Sequence, residues 1–145
     1  PPWSMRGSHA GLLRNFFSFP NSQVWLAYTA GLPQLAGFSI GSTLSTESIE
    51  FCGIPDSAGA LQGDYHLTWR AVAPNQQGHG LGRRLTEVRL LEAQKLNCRR
   101  VFVSTLHRNL GTLRMYEDMG FVACGKTHIA GENVLFEHVF FVKQL

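Results

Sequence analysis

The residues of this 145-residue chain best suited to chemistry lie in Ala71-Val-Ala-Pro-Asn-Gln-Gln-Gly-His-Gly-Leu-Gly-Arg-Arg-Leu85. Glycines at 78, 80 and 82 alternate with His79 and Leu81, so the backbone can approach a ligand with no Cβ in the way. The N–H groups of such a turn, and of the first residues of a helix that follows it, point into one concavity. With the positive end of the helix dipole they form an anion site. Arg83 and Arg84 place cationic charge beside it. A P-loop would need Gly-Lys-Ser/Thr, and the tripeptide is absent. A dinucleotide-binding turn would need GxGxxG and a carboxylate at the end of the next strand. Here the pattern is GxGxG and that strand ends Val-Ser-Thr. A purely structural glycine turn is the remaining alternative.

Other candidates lie on either side of the turn. His66 and Asp64 precede it on one strand face, two residues apart. An imidazole there could accept a proton at neutral pH, although a strand histidine is also commonly packed or hydrogen-bonded. Asn109 stands where a second helix begins, a position that capping alone would explain. Tyr116 falls on the apolar side of that helix, where it reads equally as core. His79 is expected to contribute its backbone N–H, with an exposed ring. His107, His128 and His138 show no metal-ligand spacing and read as surface or core residues.

The elements that must position these residues follow from periodicity and breakers. Leu12–Phe19 ends at Pro20 and reads as the end of a helix. Val24–Ala30 and Gln34–Leu44 are strands joined by Gly31-Leu32-Pro33. Ser45–Gly63 reads as a long loop, of the kind that is often functional. Asp64–Ala73 is a strand stopped by Pro74. Leu81, Leu85, Val88, Leu91 and Leu96 give an amphipathic helix, with Arg83, Arg84, Glu87 and Arg89 on its other faces and Asn97 as its stop. Arg100–Thr105 is a buried strand. A helix runs from Asn109 to Gly120, and Phe121–His128 with Val134–Val142 forms a hairpin around Ala130-Gly131-Glu132-Asn133. The order predicts an α/β (α+β) domain: a mixed central sheet with helices packed on it, whose crossover helices connect parallel neighbours.

Bulk properties narrow the function classes. The length suits one domain of roughly 100–200 residues. Hydrophobic residues at 44% and charged ones at 16% argue against disorder. No apolar run reaches the roughly 18–20 residues of a membrane span. A net charge of +3 suits an anionic ligand, but the basic residues form no stripe of the kind that binds nucleic acid, and Arg99-Arg100 reads as solvated surface. Three cysteines without CxxC spacing indicate neither a disulfide framework nor a zinc site, and no metal is expected. With no signal-peptide layout, a cytoplasmic setting is the default. Met5-Arg-Gly-Ser-His9 looks like a vector-derived leader, which leaves 10–145 as the single domain.

With Val72-Ala-Pro, Gln77-Gly-His-Gly-Leu-Gly, and Asn109 followed by Tyr116-Glu-Asp-Met-Gly-Phe121, residues 24–145 resemble the GCN5-related N-acetyltransferase (GNAT) superfamily. The resemblance implies that the turn binds the pyrophosphate of acetyl-CoA and that two parallel strands, Asp64–Ala73 and Arg100–Thr105, splay to admit the pantetheine arm. It implies cofactor contacts from Ala71, Val72, Ala73, Gln77, Gly78, His79, Gly80, Leu81, Gly82, Arg83, Asn109 and Tyr116. By the same likeness the Val72 N–H polarises the thioester carbonyl, Asn109 reaches the pantetheine or a water, and Tyr116 protonates the departing thiolate. Some relatives carry a general base six positions before the residue matching Val72, which is His66 here, with Asp64, Glu50 or a water chain as alternatives. The implied activity is transfer of an acetyl group to a primary amine by direct attack in a ternary complex. The acceptor itself is not legible; Glu47, Glu50 and Asp56 in the 45–63 loop suggest a cationic amine.

One departure bears on turnover. Relatives usually begin with a strand and helices before the first hairpin strand, and here only 10–23 precede Val24. The N-terminal strand and helix are expected to be short or missing, so that the chain is a fragment, part of a larger protein, or completed by a second copy in a homodimer. A binding module that holds acyl-CoA as a sensor without turnover is the competing function, and transfer from a longer acyl-CoA or an acyl carrier protein a third.

Overall fold

A computed structural model of the chain describes residues 17–31, 34–130 and 135–145. The leader, most of the Leu12–Phe19 segment and the tips of two hairpins fall outside them. Strand β1 (Gln23–Tyr28) pairs antiparallel with β2 (Leu35–Thr43), and β2 pairs antiparallel with β3 (Tyr65–Val72). Next to β3, and parallel to it, runs β4 (Arg100–Leu106). The hairpin of β5 (Val122–Ala130) and β6 (Leu135–Gln144) completes a six-stranded mixed sheet of order β1-β2-β3-β4-β6-β5. Three helices accompany it: α1 (Thr46–Phe51), α2 (Leu81–Lys95) and α3 (Leu110–Asp118).

Side-chain alternation along the inner strands builds two cores. Val101 and Val103 of β4 join Tyr65, Leu67, Ala93, Tyr116 and Phe141 beneath α2 and α3. Phe102, between them, faces the other way and joins Leu44, Ile54, Ala58 and Phe140 near α1. The sheet centre is thus buried on both faces. The expected order of strands and crossover helices is present, with two differences. The α3 crossover does not end beside β4, because β6 takes the inner place. β6 has an apolar run, Val139-Phe140-Phe141, that is buried on both faces, whereas β5 exposes Val122, Ala123 and Lys126 and suits an edge. The 45–63 segment, expected as a loop, contains α1 and a 3-10 turn at Asp56–Ala58. A reciprocal capping box starts α1: the Ser48 N–H donates to Ser45 Oγ at 3.1 Å, and the Ser45 N–H to Ser48 Oγ at 2.7 Å.

Two arginines depart from their expected exposure. Arg89 is buried in the α2 face that meets the sheet, donates from Nη1 to the Gln23 carbonyl at 3.2 Å, and lies 5.1 Å from the Trp25 ring. Leu91, expected on that face, is exposed. The long arginine stem fills apolar space that the leucine pattern had claimed. Arg100 is bound to Asp64 through Nη2 at 2.6 Å and Nε at 3.2 Å. Asn97, at the end of α2, has the left-handed φ of 58°, and Gly120 follows α3 at 87°.

Two backbone features shape the functional region. Ile40 of β2 sits opposite Trp69 and Gly41 opposite Leu67, so Thr68 is an extra residue on β3, a β-bulge. Beyond the bulge the alternation flips, and Leu67 and Arg70, three apart, both face α2 and α3. The second feature is the β3–β4 pairing, which consists of Tyr65–Val101 and His66–Phe102 alone. Past those pairs the two parallel strands share no ladder.

Candidate active site

The glycine turn ends in an uncapped helix. Gly80 is the N-cap of α2 in the left-handed conformation, φ 80°, and Gly78 has φ 81°. Glycine adopts both without the cost another residue would carry. No side chain caps α2 and its first turn has no acidic residue; the first bond of the helix is the Arg84 N–H to the Gly80 carbonyl at 3.1 Å. The N–H groups of Leu81, Gly82 and Arg83 therefore lack intrahelical partners. Cationic Arg83 and Arg84 at a helix N-terminus run against the dipole, so an anion there would relieve the mismatch. Gln77 Nε2 closes the turn onto the Val72 carbonyl at 3.2 Å.

This helix end opens on a cleft of about 580 Å³ lined by β3, the turn, and the start of α3. Of the expected contacts it takes Ala71, Val72, Gln77, Gly78, Gly80, Leu81, Gly82, Arg83 and Asn109. Ala73 and His79 are not in its wall. The Ala73 N–H is used by the Ala36 carbonyl at 2.8 Å, and His79 is exposed. A second cleft of about 330 Å³ lies between β3 and β4 and is lined by Leu67, Thr68, Trp69, Ser104, Thr105, Tyr116 and His138. Arg70, Asn109 and Thr112 line both, so the clefts adjoin at those residues. Asn109 occupies the N-cap of α3 but makes no side-chain capping bond, contrary to the capping explanation of its presence.

Tyr116 is 3% exposed and packs against Phe121 and Phe141 at ring distances of 5.4 and 5.8 Å. Burial pushes its hydroxyl pKa up, with the charge of Arg70 acting the other way, so it stays a proton donor at neutral pH. His66 is not brought to either cleft. It pairs with Phe102 and so shares the face of the α1-side core, the reverse of what six-residue counting back from Val72 implies, because the Thr68 bulge intervenes. It is 3% exposed, its Nε2 has no partner, and Nδ1 lies 3.5 Å from Thr68 Oγ1. Desolvation lowers its pKa to about 4, which keeps it neutral but makes it a weak base. Asp64, one of the alternatives, is engaged by Arg100 and by the Leu61 N–H.

Two titratable cleft residues escaped the sequence reading. His138 was assigned to surface or core, yet it lines the inner cleft, and burial lowers its pKa. Arg70 sits where an alternating strand would have turned it away from α2. Only the bulge, which depends on pairing with β2, could have signalled it. Among the described residues no group of His, Cys, Asp and Glu could hold a metal ion, and no helix is long and apolar enough to cross a membrane.

A sheet opened between two parallel strands, with a glycine turn and a bare helix end at its mouth, defines an α+β fold with a cleft at the splay. The acetyltransferase (GNAT) family model matches residues 2–121, and the chain belongs to that family. No curated protein matches it significantly. Among solved structures, an Arabidopsis thaliana NAA60 in complex with a bisubstrate analogue is similar at 17% identity, covering 93% of this chain and 82% of its own, with a TM-score of 0.74. YncA of Salmonella typhimurium with acetyl-CoA is similar at 14% identity, covering 94% and 70%, with a TM-score of 0.65. A nourseothricin acetyltransferase shares 20% identity at a TM-score of 0.66 over 86% of this chain; this chain spans 66% of that one. At these identities the likeness is one of fold.

Proposed function

We propose that this chain is an acetyl-CoA-dependent N-acetyltransferase acting on a primary amine. The observation that carries the reading is the uncapped α2 N-terminus opening onto a cleft that adjoins, at Arg70, Asn109 and Thr112, a second cleft reaching Tyr116. The free N–H groups after Gly80, with Arg83, fit the pyrophosphate. The splayed edge of β3 past His66 fits the pantetheine, and Val72 stands where its N–H could polarise the thioester carbonyl. Membership of the acetyltransferase (GNAT) family supports the choice of co-substrate, as does the acetyl-CoA named for YncA. Tyr116, buried and protonated, serves as the acid for the departing sulfur. We assign no base role to His66; the imidazole that lines the inner cleft is His138, but burial weakens it as a base as well, so the amine proton is assigned to solvent.

One observation favours the second reading, an acyl-CoA-binding sensor: neither cleft carries a carboxylate among the described residues that line it. Incubation with acetyl-CoA and a panel of amines, followed by thiol release and product mass, separates the two. If acetyl-CoA binds and no amine is acetylated, the sensor reading replaces the enzyme. The pyrophosphate assignment is tested at Gly80. Gly80→Glu sets a carboxylate in the cradle and should abolish CoA binding, while Gly80→Ala, which carries the same backbone strain without the charge, should retain most of it. Micromolar affinity retained in Gly80→Glu overturns the assignment.

A further inference from the structure

We propose that Arg70 holds the negative charge on the sulfur that leaves during transfer. This rests on the acyl-CoA reading above. Arg70 projects from β3 into the junction of the two clefts. Its Nη1 donates to Thr86 Oγ1 at 3.3 Å and to Met115 Sδ at 3.4 Å, and its Nη2 donates to Thr112 Oγ1 at 3.4 Å. All three partners are neutral, and the bonds to oxygen lie beyond the usual N–H···O range. None of the ion pairs among the described residues includes it. A half-buried guanidinium with five donors and no counter-charge is poised to receive an anion.

Two anions could claim it, and placement chooses between them. The pyrophosphate has the turn amides and Arg83. Arg70 flanks the start of α2, where its Nη1 would lie 2.9 Å from a Cβ at Gly82, but its Nη2 reaches across to Thr112 of α3 and its guanidinium carbon is 5.6 Å from the centre of the Tyr116 ring. It therefore stands beside the residue assigned to the sulfur. In the transfer, the amine lone pair forms the C–N bond, the C–S bond breaks with its electron pair going to sulfur, and the amine proton leaves to solvent. Sulfur ends as a thiol by taking a proton from Tyr116, which solvent replenishes. Arg70 acts by charge and N–H donation. It is a stabiliser of the leaving group, separate from the acid.

The consequence reaches beyond turnover: bound CoA should carry a thiol more acidic than free CoA. The titratable groups lining the inner cleft beside Arg70 are Tyr116 from α3 and His138 from β6, with the hydroxyls of Ser104 and Thr105 from β4 and of Thr112 from α3; Arg83 lines the outer cleft alone. Tyr116 is shifted upward and His138 downward, so neither gains or loses much charge between neutrality and mild alkali. The experiment is calorimetric titration of the intact chain with CoA and, in parallel, desulfo-CoA from about pH 6.5 to about pH 9.5, where a free thiol of reference pKa about 8.5 ionises. CoA should tighten about tenfold for each unit by which its thiol pKa is lowered, and desulfo-CoA should lack that gain. Arg70→Met should remove the difference between the two compounds and slow turnover about 100-fold. Arg70→Lys should keep part of it. If neither compound binds, the acyl-CoA reading itself fails. If both bind and respond to pH alike, the role of Arg70 is overturned while that reading stands. Equal weakening of both compounds at every pH in Arg70→Met would also overturn it, by making Arg70 a phosphate ligand or a packing residue.

Discussion

Tyr116 and His66 are buried to the same extent, and burial gives them opposite consequences. A phenol that loses water holds its proton more firmly, which suits an acid; an imidazole that loses water rejects the proton a base must accept. Tyr116→Phe should therefore slow acetylation about 100-fold with little change in acetyl-CoA affinity, compared by steady-state kinetics and direct titration. Equal turnover in the two proteins would remove Tyr116 from the mechanism. For His66 the consequence lies in stability. Its folded pKa of about 4 is below the unfolded value of 6.5, so the unfolded chain binds more protons between those limits. Stability is fully present above pH 6.5 and falls as the pH drops towards 4, by roughly 3 kcal/mol in all. Urea titrations across that window should show a steeper acid loss in wild type than in His66→Gln, and parallel curves would contradict the assignment.

At the scale of elements, three local devices place the site. The first is the start of α2, where Gly80 substitutes for a capping side chain and leaves N–H groups open to a ligand. The second is the β3 bulge at Thr68, and the third is the early end of β3–β4 pairing at His66–Phe102. The helix start was legible because Gly78, Gly80 and Gly82 announce it in five residues. The bulge was not, since Leu67-Thr68-Trp69-Arg70 has no glycine or proline to mark the extra residue. The α1 capping box was missed for a related reason: its third helical residue is Ser48, where glutamate or glutamine is the usual signal. Ser45→Ala should cost about 1 kcal/mol in chemical denaturation and leave CoA binding unchanged, because α1 belongs to the core around Phe102 and Phe140. A loss below about 0.3 kcal/mol would mean that the cap contributes little to the fold.

For the whole molecule, ligand and fold should be coupled through the splay. A ligand spanning the turn and both clefts would tie together β3, β4, α2 and α3, which share no strand ladder along the splay and which Arg70 bridges through Thr86 and Thr112. CoA at about one hundred times its dissociation constant should add about 2.7 kcal/mol and raise the melting temperature by about 5–11 °C. Inorganic pyrophosphate, which reaches only the turn, should do less, and no shift with CoA would argue against the proposed site. By itself the sequence determined the family, the order of strands and crossover helices, and the turn from Gln77 to Gly82. These are written in short-range patterns of glycine, alternation and helical spacing. Only the tertiary structure decided which side chains meet in the cleft. Strand β3 takes its register from β2, and one extra residue at Thr68 reverses every side chain after it, carrying Arg70 inward and leaving His66 on the opposite face. A histidine from the last strand, His138, then enters the cleft because β6 lies against β4, a neighbour 32 residues away in sequence at Leu106. Pairing between distant strands follows from total burial and not from local pattern, so the cleft's inner chemistry became visible only with the fold.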